Sequence, residues 1–288
     1  MAARGRSSLA SQRAGAAEPR LFEGGVLENR RVAEGLFEMV LVTPAGWGPP
    51  LPGQFVAVSL ASPGRPDEAG GAVLRRPFSV AAYRASAGGA RLSLLYAAVG
   101  RVTARMRALA PGDTLACLGP LGTGFPLEVS GPAALVAGGR GLAPLLFLAE
   151  HLSHDGRAFA FLYGARTAWH MLPSARLAVG AHLATDDGSL GRAGPVVDLL
   201  DELPERPASL FACGPHAMLS AVAAWAARAG TRCWVSVETV FGCGTGLCGG
   251  CALPARAEPP RSLWACRDGP VLDAAEIDWD AWARAGCP

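Results

Sequence analysis

Four of the eight cysteines fall within 24 positions, as Cys243-Gly-Thr-Gly-Leu-Cys248-Gly-Gly-Cys251 with Cys266 after a further fourteen residues. No other stretch restricts the fold so strongly, because thiolates at this spacing must turn inward from one tight loop. C-x4-C-x2-C with a more distant fourth cysteine is the plant-type spacing of a [2Fe–2S] cluster. Backbone amides of the loop then face the cluster sulfurs and offset their negative charge. Glycines at 242, 244, 246, 249 and 250 permit the positive-φ turns of such a wrap. Cys243, Cys248, Cys251 and Cys266 are therefore the expected metal ligands. A structural zinc site is the alternative, but zinc ribbons favour two C-x2-C knuckles, and here only Cys248 and Cys251 form one. The other four cysteines, Cys117, Cys213, Cys233 and Cys287, are scattered. A secreted disulfide scaffold is small and evenly stapled, so the clustering points to a metal centre in a reducing, cytoplasmic compartment.

The 288 residues suit two domains of ordinary size beside this loop, and a hydrophobic share of 50% fills a core in each. Only 17% of residues are charged and the formal net charge is +2, which argues against nucleic acid as the main partner. No run of apolar residues is long enough to span a membrane. Residues 1–20 carry four arginines, three serines and one acid, Glu18. Transit peptides share that composition; so does a disordered tail, which is the expectation here. No apolar stretch follows to make a secretory signal.

Residues 21–130 read as short strands punctuated by Gly and Pro, among them Glu38–Val42, Gln54–Leu60, Phe78–Ala82, Arg91–Tyr96 and Thr114–Leu118. Strands so spaced predict an antiparallel all-β barrel, with one helix at Thr103–Leu109. After Gly131-Pro132 short apolar strands alternate with helices. The strands are Ala133–Ala137, Ala158–Tyr163, Ala181–Thr185 and Leu210–Ala212; the helices are at about Ala143–Leu152, Val196–Leu203 and His216–Ala229. That alternation predicts an α/β domain with a parallel sheet covered on both faces over residues 131–238, Trp234–Val237 closing the sheet. Residues 239–288 hold the small cysteine-loop module.

Two further patterns carry chemistry. Arg75-Arg76-Pro77-Phe78-Ser79 opens a barrel strand: an arginine pairs with a pyrophosphate oxygen and an aromatic ring lies against a flat cofactor. Leu95-Tyr96-Ala97 follows, and Gly100-Arg101-Val102-Thr103 opens the expected helix, whose start is an anion site. Together these resemble the FAD-binding barrel of the ferredoxin–NADP reductase superfamily. That resemblance assigns FAD to Arg76, Pro77, Phe78, Ser79, Leu95, Tyr96, Ala97, Val102 and Thr103. Ala137-Gly138-Gly139-Arg140-Gly141-Leu142-Ala143-Pro144 lies at a strand-to-helix turn, where glycines let the chain approach a pyrophosphate. In the same superfamily a turn like Cys213-Gly214-Pro215 lies beside the nicotinamide, so Gly138, Gly139, Gly141 and the candidate catalytic residue Cys213 are expected to serve NAD(H).

Barrel, nucleotide domain and carboxy-terminal cluster occur in that order in oxygenase reductases as well. Two stretches narrow the choice: Thr185-Asp186-Asp187-Gly188-Ser189-Leu190-Gly191 leading to Gly194-Pro195-Val196-Val197-Asp198-Leu199-Leu200, and Glu238 before the cysteine loop with Cys266-Arg267-Asp268-Gly269-Pro270-Val271 after it. With these, residues 22–280 resemble the electron-transfer subunit of class 1B, NAD-dependent dihydroorotate dehydrogenase. The resemblance implies a role in pyrimidine biosynthesis and a partner, an FMN-containing dihydroorotate dehydrogenase catalytic subunit, in a heterotetramer of two of each. Dihydroorotate is then oxidised on the partner's FMN, and electrons reach NAD⁺ through the [2Fe–2S] cluster and FAD. Neither nucleic acid nor a membrane is expected as a partner. No base-and-nucleophile pairing suggests an organic-substrate site in this chain.

The family usually shows Gly-x-Gly-Thr where Gly100-Arg-Val102-Thr103 stands, and an aliphatic residue at the position of Arg140. No acid ends the Ala158–Tyr163 strand to bind a ribose 2′-hydroxyl, and Arg166 is placed to meet a 2′-phosphate. NAD over NADP therefore rests on the resemblance alone. Two rival functions remain. One is a reductase subunit of a ferredoxin–NADP oxidoreductase, sulfhydrogenase or oxygenase system. The other is a zinc-stabilised, non-enzymatic binding module.

Overall fold

A computed structural model describes residues 17–60, 74–86, 88–129, 131–173, 176–177 and 180–286. The first six strands are β1 (Arg20–Ala33), β2 (Leu36–Thr43), β3 (Phe55–Ser59), β4 (Arg76–Ser86), β5 (Gly89–Ala97) and β6 (Thr114–Leu121). They close into an antiparallel barrel in the order β1-β2-β5-β4-β3-β6. The β1–β2 hairpin turns on Glu34-Gly35, with Gly35 at φ 65, a conformation that glycine adopts without strain. Inside the barrel sit Met39, Leu41, Val56, Val58, Val80, Leu92, Leu94, Tyr96 and Cys117, all buried. Burying each of the large side chains contributes about 1.5–3 kcal/mol. Burial in this apolar interior pushes the Cys117 thiol up to about 12, so it is a packing residue. The helix α1 (Arg101–Met106) caps one end, sending Val102 and Met106 into this core.

The second layer is a sheet of seven strands: β7 (Ala133–Gly138), β8 (Phe159–Ala165), β9 (His182–Thr185), β10 (Arg192–Ala193), β11 (Ser209–Cys213), β12 (Arg232–Ser236) and β15 (Val271–Asp273). Their order is β10-β9-β8-β7-β11-β12-β15. On β7 and β11 alternate residues serve opposite cores. Ala134, Val136, Leu210 and Ala212 pack on one face, Leu135, Ala137, Phe211 and Cys213 on the other. Period-two burial on both faces is the pattern of a covered parallel sheet. The helix α2 (Leu142–His154) covers one face and α3 (His216–Ala229) the other. The remaining pieces are the hairpin of β13 (Ala252–Ala255) and β14 (Arg261–Trp264), and the helix α4 (Trp279–Arg284).

Four details differ from the sequence expectation. The stretch expected at Trp234–Val237 does not close the sheet: β12 is interior, and β15 pairs with it antiparallel through Trp234↔Asp273, Val235↔Leu272 and Ser236↔Val271. The reason is the return path of the chain: Thr123 N donates to Gly269 O at 2.7 Å and Thr123 Oγ1 to Val271 O at 3.0 Å, seating β15 beside the barrel exit. The Val196–Leu203 helix is a 3-10 helix over Val196–Glu202, led in by Pro195. The barrel helix begins at Arg101 and ends at Met106. Arg20 of the expected tail belongs to β1, while residues 1–16 and Cys287 lie outside the described residues.

The layers share their cores. Leu36, Ala81 and Leu95 on the outside of the barrel pack in one cluster with Leu145 and Leu148 of α2, and Arg84 of β4 meets Glu150 of α2 at 2.9 Å. Buried Glu38 of β2 is bridged by Arg30 at 2.8 Å and by Arg176 from the sheet layer. Among the described residues no helix is long and apolar enough to cross a membrane.

Candidate functional site

The cysteine loop runs from the end of β12 to β14 and is lined with amides aimed at sulfur. Cys243 Sγ accepts from the backbone N–H groups of Thr245 at 3.4 Å, Leu247 at 3.3 Å and Cys248 at 3.4 Å. Cys248 Sγ accepts from Cys243 N and Gly250 N, each at 3.4 Å. Gly246 N donates to Cys266 Sγ at 3.1 Å, and Cys266 N to Cys251 Sγ at 3.4 Å. Burial works against ionising Cys243, but the hydrogen bonds from Thr245, Cys248 and Leu247 outweigh it and bring the thiol down to about 5. Cys266 is pushed up to about 12 by burial and by the adjacent Cys251, whose sulfur lies 3.2 Å away. Cys243 and Cys248 thus exchange amide-to-sulfur hydrogen bonds, and the sulfurs of Cys251 and Cys266 lie side by side. Two irons held by four cysteines require two thiolates each. The donor set and its amide shell fit that group.

The loop lies against the outer wall of the barrel. Cys251 and Cys266 share one apolar core with Phe55, Ala57 and Leu121. The backbone of Gly244 comes so close that a methyl group on it would sit 3.8 Å from Phe55 and 3.9 Å from Leu121. Phe241, ahead of the first cysteine, meets Phe55 edge to face at 5.3 Å. On the solvent side Leu247 is 86% and Val240 65% exposed, so apolar side chains rim the loop where it faces outward.

Phe55 and Ala57 on β3 pair with Ser79 and Pro77 on the adjacent strand β4. Arg76–Ser79 on β4 and Leu95–Ala97 on β5 lie on neighbouring strands, joined through Val80↔Leu94. Their side chains do not all face outward. Tyr96 is 2% exposed and bonds Asn29 Oδ1 at 2.8 Å through its hydroxyl. Leu95 packs toward α2 and Val102 into the barrel core. Phe78 is half-buried with its ring edge-to-face on Tyr96 at 6.2 Å. Thr103 Oγ1 is occupied by Val99 N and Gly100 N, each at 3.1 Å, so it caps its own loop. Arg76 Nη1 donates to Leu74 O at 3.1 Å. Its neighbour Arg75, which the sequence does not single out, buries its Nε without a hydrogen-bond partner among the described residues. A buried donor left over in this way calls for an acceptor.

At the carboxyl edge of the sheet, the turn after β7 meets the turn after β11, where the strand order reverses. A methyl group on Gly141 would lie 2.3 Å from Cys213 O; one on Gly138 would lie 2.5 Å from Met218 Sδ. Gly141 is thus demanded by the backbone of the second turn, whereas at Gly138 the flexible end of Met218 could give way; Gly139, at φ 53, has nothing within 4 Å of such a methyl group and lies open. Crevices at such switch points are where open α/β sheets bind ligands. Cys213 is 1% exposed, and burial, then the charge of Glu238, push its thiol up, so it stays a neutral thiol. Glu238 stands two residues beyond Ser236, the β12 partner of Cys213. Surrounding protein raises its carboxyl and Arg140 opposes the rise. Its position before the cysteine loop was visible in the sequence, its place beside Cys213 was not.

Comparison with known proteins adds three findings. Residues 238–278 match the model of the iron–sulfur cluster binding domain of dihydroorotate dehydrogenase B. The chain is 34% identical over 257 residues to a protein of Listeria monocytogenes serovar 1/2a named dihydroorotate dehydrogenase B (NAD(+)), electron transfer subunit, covering 88% of this chain and 96% of that one. A protein of the same name from Bacillus caldolyticus is 35% identical over 258 residues with the same coverage. Among solved structures, one of an NADH-dependent reduced ferredoxin–NADP oxidoreductase superposes with a TM-score of 0.78 at 29% identity, covering 91% of both chains.

Proposed function

Since this chain belongs to the family of electron-transfer subunits of dihydroorotate dehydrogenase B, we propose that it relays electrons from a dihydroorotate-oxidising catalytic subunit to NAD⁺. The observation that carries the reading is the contact between the cysteine loop and the barrel wall: one apolar core joins Cys251 and Cys266 to β3 and β6, whose partner strand β4 bears Arg76–Ser79. When bound, the [2Fe–2S] cluster supplies single-electron relay and FAD supplies the exchange between single electrons and hydride.

The residues divide that work. Cys243, Cys248, Cys251 and Cys266 hold the cluster, and the loop amides offset its charge. Arg76, with Arg75, neutralises the FAD pyrophosphate; Pro77, Phe78 and Ser79 with Leu95, Tyr96 and Ala97 present the adjoining strands, and Val102 and Thr103 fix the helix start. Gly138, Gly139 and Gly141 open the sheet edge to NAD(H), and Cys213 closes its inner wall as a neutral thiol. The functional units are residues 21–130, 131–238 and 239–288. The partner carries FMN, and two copies of each chain assemble, in the cytoplasm. The apolar rim of Val240 and Leu247 supports a docking face beside the cluster.

The test is electron routing. The isolated chain should reduce artificial acceptors with NADH and leave dihydroorotate untouched. With its catalytic partner, Cys251→Ser should stop dihydroorotate-dependent NAD⁺ reduction while sparing the NADH–dye reaction, provided FAD stays bound. Dihydroorotate oxidation by the purified chain alone refutes the subunit reading. The likeness to the ferredoxin–NADP oxidoreductase keeps a second reading alive. Reduction of ferredoxin by the isolated chain with NADH, and no association with a dihydroorotate dehydrogenase, would favour it.

A further inference from the structure

The residue after the fourth cysteine is built into the cluster loop. A methyl group on Gly246 would sit 3.3 Å from Arg267 Cβ and Cδ and 3.4 Å from Cγ, so the stem of Arg267 lies along that glycine. Gly246 is also the residue whose N–H donates to Cys266 Sγ at 3.1 Å. Two contacts then fix the guanidinium. It stacks over the Trp264 ring, 4.0 Å from the centroid, where the face of an indole attracts a cation. Its Nε donates to Asp268 Oδ1 at 3.0 Å and its Nη2 to Asp268 Oδ2 at 3.1 Å. Asp268 Oδ2 accepts in turn from Trp264 N at 2.8 Å, and the N–H groups of Arg267 and Asp268 both donate to Trp264 O, at 2.9 and 2.7 Å. Ring, acid and arginine thus form one tight turn around Cys266. The Arg267 side chain is 48% exposed and that of Asp268 17%, yet both charges are held in place. The guanidinium feels the charge of Asp268 first, then those of the Cys266 and Cys251 thiolates.

We propose that Arg267 and Asp268 set the reduction potential of the [2Fe–2S] cluster as an opposed pair of fixed charges, Arg267 raising it and Asp268 lowering it. The inference rests on the electron-relay reading above and names what tunes the relay. Reduction adds one electron to a centre that four thiolates and two sulfides already make negative. A positive charge beside it favours the reduced form and a negative charge the oxidised form. Net charge, hydrogen bonds to the sulfurs and solvent exposure set such potentials. The loop amides supply the hydrogen bonds, and this turn supplies the charge. Trp264 acts as a positioning residue, because its ring and its backbone keep the pair against the loop. Water screens a half-exposed charge, so each member of the pair should bias the reduction equilibrium by about tenfold. That is about 59 mV for a one-electron couple.

Anaerobic titration of the loaded full chain with dithionite and mediator dyes, followed by the electron paramagnetic resonance of the reduced cluster, reads the midpoint without turnover. Arg267→Gln should lower it by about 59 mV, and Asp268→Asn, which keeps the shape of the turn, should raise it by about as much. Arg267→Lys retains the charge without the planar fork, and its midpoint should stay within about twofold of the wild type, or about 18 mV. Iron and labile sulfide per chain establish that each variant is loaded. An unmoved midpoint in Arg267→Gln overturns the inference. So does a shift of the same sign in Arg267→Gln and Asp268→Asn, which would report a loosened loop, or a shift in Arg267→Lys as large as that in Arg267→Gln, which would report shape and not charge. Where Arg267→Gln does not hold its iron, Asp268→Asn decides, and a midpoint that fails to rise overturns the inference. A wild-type chain that carries iron and sulfide but shows no such charge effect keeps the relay reading intact, whereas one that gives no reduced-cluster signal overturns both.

Discussion

Gly249→Ala isolates the backbone contribution to the cysteine loop. Gly249 has φ 68, and a methyl group built on it meets nothing within 4 Å. The substitution therefore adds no clash, only the strain of an L residue in the left-handed region, about 1–2 kcal/mol. If the loop leaves that conformation when the cluster is lost, the penalty falls on the loaded form. A difference of that size is a factor of about 5–30 in an equilibrium. Gly250 provides the control, because its φ is not in the left-handed range and its added methyl group would rest 3.5 Å from Cys248 Sγ, an ordinary contact. Iron and acid-labile sulfide per chain, followed anaerobically against rising chelator, give the readout. Gly249→Ala should lose half its iron at about 5–30-fold less chelator than the wild type, and Gly250→Ala within about twofold of it, with thermal unfolding of the barrel and sheet unchanged. Equal midpoints for Gly249→Ala and the wild type would refute the reasoning, as would a Gly250→Ala variant that sheds iron as readily as Gly249→Ala.

Other expectations follow from the same geometry. Loaded chain should carry about two irons and two labile sulfides, with Cys→Ser at 243, 248, 251 or 266 disrupting the cluster; one zinc and no iron after anaerobic purification would refute this. Arg76→Ala and Arg75→Ala should each weaken FAD retention through gel filtration, since each is proposed to donate a charge-assisted bond to phosphate; full flavin in both would make them surface and packing arginines. Glu38→Gln removes the charge shared by Arg30 and Arg176. Because Arg30 is half exposed, the loss should be about 1–3 kcal/mol, below the full range for a buried pair, and it should appear as a lowered midpoint in urea.

What the sequence revealed was local. The cysteine spacing, the glycine excess of the loop, and the strand-helix rhythm after Pro132 depend on neighbours within a few turns of chain, and the structure follows them. Pairing between distant segments was not legible. Strand β1, with Gly24-Gly25 near its middle and irregular register between Val26 and Glu28, shows no clean alternation, yet it forms two sides of the barrel seam. Strand β15 has three residues and acquires its meaning from β12 and Thr123. The site shows the same limit. Tyr96 and Val102 sit in motifs that suggest cofactor contact, but burial on the barrel interior fixes their side chains as core. The orphaned Arg75 nitrogen arises only when the chain is folded.

The late arrival of β15 has a consequence for how the chain is made. On the ribosome, Arg232–Ser236 emerges well before Val271–Asp273, and all four cluster cysteines lie between Ser236 and Val271. During that interval the nascent sheet presents the bare side of β12, an unpaired row of N–H and C=O groups of the kind that recruits strands from other chains. A product truncated anywhere before Val271 keeps that side open permanently, and it should precipitate even though its barrel and most of its sheet are fully encoded.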